Sequence, residues 1–308
     1  GGESRSKQIF RVKSNSNVFI ATPGRLLDLA THDSGMMTLM ARVRAIVIDE
    51  ADQLYKSDFK EQIDALLTHM TSMCFQRIVV TATATANLRR EMASLLRQPM
   101  EVVVRDIERL SSTLHFSVLW CEENQKRKRF VELMKKHTFE MPLVVLCQNR
   151  METVDVKAVL DESFSSLRNS CVTIETPSAK RGEMIMSFQK SEIDVLIATP
   201  GIVGRGLELK SARSMLLWSF ASSVSEFVHH TGRLGRNGEE GLVIVFCNAH
   251  NKKLFKGFVK LAEENRIRLP SQIKACIQET EYRSTKFSVK ELRNLGLFSE
   301  RSAENWKR

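Results

Sequence analysis

Along the chain, short runs of β-branched and other apolar residues alternate with longer stretches in which apolar side chains recur every three or four positions. Asn17–Ala21, Ala45–Asp49, Arg77–Thr81 and Glu101–Val104 predict a first set of strands. Leu143–Cys147, Cys171–Ile174, Asp194–Ala198, Ser214–Trp218 and Leu242–Cys247 predict a second. Between them, Asp58–Met70, Ala86–Leu96, Lys126–Lys136, Glu152–Phe164 and Lys180–Gln189 have the spacing of amphipathic helices, each with one apolar stripe for a core. Alternation of this kind builds parallel sheets covered by helices, so the predicted fold class is α/β.

The polar stretch Arg105–Ser112 separates the two sets and leads into a further β-rich start. It predicts a domain over residues 1–107 and a second over 108–265. A local echo, Phe19-Ile20-Ala21-Thr22-Pro23-Gly24 and Leu196-Ile197-Ala198-Thr199-Pro200-Gly201, suggests two copies of one fold. No strand pattern follows Ala262. Residues 266–308 hold ten Lys or Arg and five Asp or Glu, half of the chain's net charge, and are expected to form a short basic C-terminal extension. Within it Phe287, Val289, Leu292, Leu295 and Phe298 are spaced for a docking helix.

Composition adds limits. With 308 residues, 43% hydrophobic and 27% charged, the chain is globular rather than disordered or fibrous. Lys plus Arg total 46 against 36 Asp plus Glu, a net charge of +10 that favours phosphate-bearing partners and equally suits an ordinary basic enzyme. The six cysteines lie far apart, with no CxxC pair and no histidine at zinc spacing. They read as reduced thiols of an intracellular, non-secreted protein, with cytoplasm, nucleolus and mitochondrion equally compatible. No apolar stretch is long enough to span a membrane, so no membrane partner is expected. The chain starts without Met and without a signal peptide, as the inside of a longer protein would.

The candidate chemistry begins where Ala45-Ile46-Val47-Ile48 runs into Asp49-Glu50-Ala51-Asp52. In open parallel sheets, ligands bind outside the carboxyl ends of the strands. A divalent ion explains three acids in four residues: Asp49 would hold Mg²⁺ through water, and Glu50 would orient and deprotonate an attacking water. A solvated helix start with acids near its N-terminus explains the same residues as well. Thr81-Ala82-Thr83 ends the next predicted strand, at the same sheet edge. Downstream, His229-His230-Thr231-Gly232-Arg233-Leu234-Gly235-Arg236 sets two arginines three apart, suited to phosphate oxygens.

From Gly1 to about Leu261 these motifs resemble, in order, those of the DEAD-box RNA helicases of superfamily two. Gly1-Gly2 resembles the family's glycine pair, and Thr22-Pro23-Gly24-Arg25 with Asp28 its motif Ib. The resemblance implies RNA backbone contacts for Gly1, Gly2, Thr22, Gly24 and Arg25. Asp49-Glu50-Ala51-Asp52 resembles motif II, which implies nucleotide binding by all three acids and catalysis by Asp49 and Glu50. Thr81 and Thr83 stand in motif III, implying coupling of the ATP and RNA sites. Leu143–Arg150 resembles motif IV, and Arg181 the arginine of the Gln-x-x-Arg element. Ala198–Leu209 resembles motif V, and with the Gln-x-x-Arg element the resemblance implies RNA contacts for Arg181, Thr199 and Arg205 and a nucleotide contact for Glu208. In the motif VI-like segment, Arg233 and Arg236 take the place of the arginine fingers. The resemblance implies two RecA-like domains, the first incomplete, with ATP and Mg²⁺ as cofactors and RNA, within a ribonucleoprotein complex, as partner. The implied activity is ATP-dependent clamping and remodelling of RNA or RNA–protein complexes.

Several positions depart from the family. Glycine is nowhere followed by lysine, so the phosphate-cradling G-x-x-x-x-G-K-[ST] loop is absent from these 308 residues, as are the glutamine motif and motif Ia. Truncation of a longer protein is the expected cause, and the chain alone is expected to be inactive. Pro200 replaces an aspartate of motif V, an extra residue precedes Arg205, His230 replaces an arginine of motif VI, and Ser178 replaces the glutamine before Arg181. These changes support an alternative: a catalytically weak or inactive RNA-binding assembly factor, for example in ribosome biogenesis.

Overall fold

The computed structural model describes residues 3–14, 16–55, 59–70, 76–81, 84–103, 110–203, 209, 211–235 and 238–279. They fall into two compact units, within Gly1–Ile107 and Glu108–Arg308.

The first unit contains α1 (Arg5–Lys13), α2 (Pro23–His32), α3 (Ser34–Ala41), β1 (Ala45–Ile48), α4 (Ala51–Leu54), α5 (Phe59–His69), β2 (Gln76–Val79) and α6 (Ala86–Leu95). β1 and β2 pair in parallel, from Ala45 opposite Gln76 to Ile48 opposite Val79. α5 serves two small cores. Its Ile63 packs with Ile48, Ala51, Leu88, Met92 and Leu95, and its Leu66 with Ala30, Met40 and Met70. Asp33 caps α3 by accepting from Met36 N, and Thr85 caps α6 by accepting from Leu88 N, so both helices start where a short polar side chain replaces a missing backbone partner.

Two predicted strands of this unit do not form. Residues 17–21 and 101–103 are irregular, and Val104 lies outside the described residues. A strand exists by pairing, and among the described residues of this unit only β1 and β2 pair. Val18, Ile20, Val102 and Val103 are accordingly exposed. Of thirteen large apolar side chains exposed among the described residues, nine belong to this smaller unit, including Val47, Ile78 and Val80 on or beside the strand pair.

The second unit contains β3 (Leu114–Trp120), α7 (Lys126–Lys135), β4 (Leu143–Leu146), α8 (Arg150–Ser163), β5 (Asn169–Val172), α9 (Ser178–Gln189), β6 (Val195–Ala198), α10 (Pro200–Val203), β7 (Ser214–Leu217), α11 (Val224–Thr231), β8 (Gly241–Cys247) and α12 (Lys252–Glu264). Its six strands form one sheet in the order β3-β8-β7-β4-β6-β5, every pair parallel. The central strands read as unbroken apolar runs because both faces are covered. Val144, Leu146, Leu196, Ala198, Met215 and Leu217 face one core. Leu143, Val145, Val195, Ile197, Leu216 and Trp218 face the other.

The predicted linker lies outside the described residues except for Leu110, Ser111 and Ser112. Of these, Leu110 is buried in the second unit, its N–H donating to Asn265 Oδ1 at 3.0 Å. Residues 271–279 are helical, and Ile267, Leu269 and Ile273 pack on the same core, so the chain after 265 continues the unit at first. Phe287–Phe298 lies outside the described residues. Cys121, Cys147, Cys171, Cys247 and Cys276 are free thiols. Among the described residues no helix is long and apolar enough to cross a membrane.

Candidate functional site

β1 ends in the acid turn. Val80 N donates to the Ile48 carbonyl at 2.8 Å, and Ala51 N to the Val80 carbonyl at 3.1 Å, so the ends of β1 and β2 stay zipped together past the ladder. Asp49 is exposed and its Oδ1 accepts the Glu50 N–H at 2.8 Å. Glu50 is half-buried with φ of 51°, in the left-handed region. His137, Ser191 and Arg266 share that conformation, but each stands one residue past a helix C-cap, where a left-handed residue closes the last turn, and Gln98 lies in the loop after α6. Glu50 follows a strand. Asp52, expected among the nucleotide ligands, is only 2% exposed and accepts a hydrogen bond from Thr81 Oγ1 at 3.0 Å. The structure thus joins the motif II-like and motif III-like segments through Asp52 and Thr81, while Ala82 and Thr83 lie outside the described residues.

The Thr-Pro-Gly echo has a structural counterpart. Thr22 is the N-cap of α2, with Pro23 in the first turn, and Thr199 accepts from Ile202 N at 2.9 Å as α10 begins at Pro200. Proline is favoured there because its missing N–H has no helical partner to lose. Gly24 lies against α5: a Cβ on it would stand 2.8 Å from Gln62 Oε1. Arg25 is committed to the protein itself. Its Nε donates to Gln8 Oε1 at 2.6 Å, Nη1 to Asp28 Oδ2 at 2.8 Å and Nη2 to the Glu3 carbonyl at 3.0 Å. A hydrogen bond from Arg5, partly opposed by burial and aided by the charges of Arg5, Arg25 and His32, holds the Asp28 carboxyl below its ordinary range. Gly1 and Gly2 lie outside the described residues.

In the second unit, the parallel strands bring Gln148–Arg150 after β4, Thr199 after β6 and Ser219 after β7 to the carboxyl edge of one sheet. Arg181 is half-buried in the first turn of α9, its N–H bonded to the Pro177 carbonyl. Arg205, Glu208 and Arg236 lie outside the described residues. Arg233 is half-buried just past α11, whose C-cap is Gly232. Before it, Nε2 of His229 and Nδ1 of His230 are buried without a hydrogen-bond partner among the described residues. No group of three or more His, Cys, Asp or Glu suited to a metal ion occurs among those residues, and a single carboxylate acting through water needs none.

His230 is 3% exposed, and burial is the main cause that lowers its pKa from the ordinary 6.5. Glu226, 3.6 Å from its Nε2, opposes that shift, and His229 and Arg233 add to it. The folded state therefore binds a proton less readily than the unfolded chain. Its stabilising contribution is complete above about pH 6.5 and is lost as pH falls through the depressed folded value. The melting temperature of the second unit should fall from pH 7 to pH 5 more steeply in the wild type than in His230→Gln; equal slopes would refute this.

Sequence reasoning missed the partners that hold these segments. One of them left a signal: Asn149 and Glu152 have the spacing of a capping box. Asn149 Oδ1 accepts from Glu152 N at 3.0 Å, and Glu152 Oε1 lies 3.3 Å from Asn149 Nδ2.

Two family models match the chain, "DEAD/DEAH box helicase" over residues 1–91 and "Helicase conserved C-terminal domain" over residues 125–238. The chain is 29% identical over 274 residues to the probable ATP-dependent RNA helicase DDX59 of Homo sapiens, spanning 89% of this chain and 43% of that protein. It is 27% identical to the DEAD-box ATP-dependent RNA helicase 41 of Oryza sativa subsp. japonica, over 89% of this chain and 50% of that one. The chain thus spans about half the length of these curated relatives. Among solved structures it resembles Mss116p bound to ssRNA and AMP-PNP, with a TM-score of 0.72 and 20% identity, covering 91% of this chain and 59% of that one. At that identity the likeness carries the fold, that of RecA-like helicase units. Both halves of the pattern occur here, in the family's order and on its fold: the chain belongs to the DEAD-box helicases.

Proposed function

We propose that this chain carries the nucleotide-hydrolysing and RNA-binding parts of an ATP-dependent RNA helicase that clamps and remodels RNA or RNA–protein complexes. In this reading residues 1–107 are the C-terminal part of the ATP-binding domain, 108–265 the second helicase domain and 266–308 a basic extension whose first part packs on that domain. The observation that carries the reading is the acid turn, with Glu50 in a left-handed conformation at a strand end and Asp52 tied to Thr81. Such backbone persists only where its surroundings impose it, and it concentrates at functional sites.

The Glu50 carboxylate takes the proton of the water that attacks the γ-phosphate of ATP. Asp49 fits Mg²⁺ held through water: its carboxylate is exposed, one oxygen is oriented by the Glu50 N–H, and hard oxygen donors suit this ion. Bound there, Mg²⁺ supplies positive charge to the phosphate oxygens. Arg233 and Arg236 add guanidinium charge to those oxygens, and Glu208 accepts from the nucleotide's ribose. Thr81, through Asp52, and Thr83 couple hydrolysis to RNA. Gly1, Gly2, Thr22, Gly24, Arg181, Thr199 and Arg205 meet the RNA backbone, so binding tolerates sequence and weakens with salt. Arg25, already bonded to Glu3, Gln8 and Asp28, serves RNA chiefly by shaping the start of the unit.

One observation favours a second reading, an RNA-binding assembly factor with weak or no turnover. His230, at an arginine's place, is buried and favours its neutral form, so it brings no phosphate charge. ATP hydrolysis by the full-length protein with and without single-stranded RNA separates the two. Stimulation by RNA is expected, and RNA binding without turnover would favour the assembly factor.

A further inference from the structure

Lys126, the first residue of α7, is only 3% exposed. An ammonium so deep in a protein is stable only when its hydrogens are placed. Its Nζ lies 2.9 Å from Glu123 Oε2 and donates to Ser219 Oγ at 3.1 Å. Ser219 Oγ is 2.9 Å from Glu152 Oε1, and the other oxygen of Glu152 accepts the Gln148 N–H at 2.8 Å. The ammonium offers only hydrogens and the carboxylate only lone pairs, so the one hydroxyl hydrogen of Ser219 goes to Glu152 and the direction of the relay is fixed. On the other side, Asn248 Nδ2 donates to Glu123 Oε1 at 2.8 Å and to the Cys121 carbonyl at 3.3 Å.

The relay therefore runs along the carboxyl edge of the sheet, from the ends of β8 and β3, past β7, to the turn after β4. It reaches Gln148 twice, because Gln148 Nε2 also donates to the carbonyl of Phe220, the residue after Ser219. None of this is needed to cover the apolar cores, which lie on the two faces of the sheet. What the relay does fix is the position of Gln148, Asn149 and Arg150, the end of the segment that resembles motif IV.

We propose that the Gln148–Arg150 turn, which the pairing of β4 with β6 sets beside Thr199, shares the RNA contact given to Thr199 above, and that Lys126 and Ser219 are positioning residues that hold it through Glu152. This rests on the RNA-helicase reading above. Ser219→Ala removes the relay without changing the fold's apolar packing, Ser219→Thr keeps the hydroxyl, and Lys126→Met keeps most of the side-chain volume without the charge.

In the full-length protein, Ser219→Ala should raise the RNA concentration for half-maximal ATPase stimulation by about five- to tenfold, the worth of one buried hydrogen bond. The kcat at saturating RNA and the KM for ATP should stay near wild type, and the melting temperature should fall by only a few degrees, the cost of about one buried hydrogen bond. Exchange of the Gln148 amide hydrogen should accelerate. Ser219→Thr should restore both RNA dependence and slow exchange, and Lys126→Met should shift RNA dependence in the same direction as Ser219→Ala. Unchanged RNA dependence in Ser219→Ala overturns the proposal. So does a joint loss of melting temperature, kcat and ATP affinity that Ser219→Thr fails to restore, which marks a merely structural role. A wild type without RNA stimulation overturns the functional reading itself, and this proposal with it.

Discussion

In the full-length protein, Glu50→Gln should reduce RNA-stimulated ATP hydrolysis by about 10²- to 10⁴-fold, the span of a lost general base, while nucleotide and RNA binding persist. The amide has nearly the size of the carboxylate and cannot take a proton from water. It also keeps the backbone in the same conformation, because glutamine is no more at ease than glutamate at φ of 51°. The substitution thus separates chemistry from strain. Glu50→Gly does the reverse, relieving about 1 kcal/mol of left-handed cost while removing the base. Phosphate release at saturating RNA is the measurement. Turnover within threefold of wild type in Glu50→Gln would remove Glu50 from the mechanism.

Gly235→Ala should unfold the second unit far more readily than its single added methyl suggests. Gly235 has φ of 66°, and a Cβ there would lie 2.6 Å from Leu114 Cδ2 and 2.7 Å from Thr113 Oγ1. Leu114 is buried at the start of β3, and the Thr113 hydroxyl donates to the Gly235 carbonyl at 2.9 Å, so neither neighbour yields without disturbing the sheet. The left-handed cost and the overpacking together amount to about 2–4 kcal/mol. For a unit of this size that lowers the melting temperature by roughly 5–15 °C. Thermal unfolding followed by circular dichroism would show it. An unchanged transition would mean that the turn carrying Arg233 relaxes freely, which its contact with Leu114 argues against.

What was legible in the sequence follows from where each signal is generated. β4, β6 and β7 read clearly because their residues are apolar on both faces, a property of the strand alone. Asn17–Ala21 carries similar residues and yet forms no strand, because pairing depends on a neighbour that local pattern does not contain. α1 escaped notice for the opposite reason: none of its side chains is buried, so it has no apolar stripe. The acids of the β1 turn were readable from residue type and spacing, but the buried bond of Asp52 to Thr81 joins residues 29 apart and appears only when the strands align. Lys126 and Ser219, 93 residues apart, meet only through the strand order. In the sequence Lys126 is merely the first of four basic residues.

The nine exposed apolar side chains of the first unit, three of them on or beside a strand pair whose outer edges have no partner among the described residues, make this part of the molecule adhesive. Open strand edges flanked by valine and isoleucine are templates for other chains. Light scattering from the 308 residues should therefore rise with concentration, the charge of +10 opposing association and the edges of β1 and β2 favouring it. Association between copies, rather than the melting of either core, is then the expected limit on handling these 308 residues in the test tube.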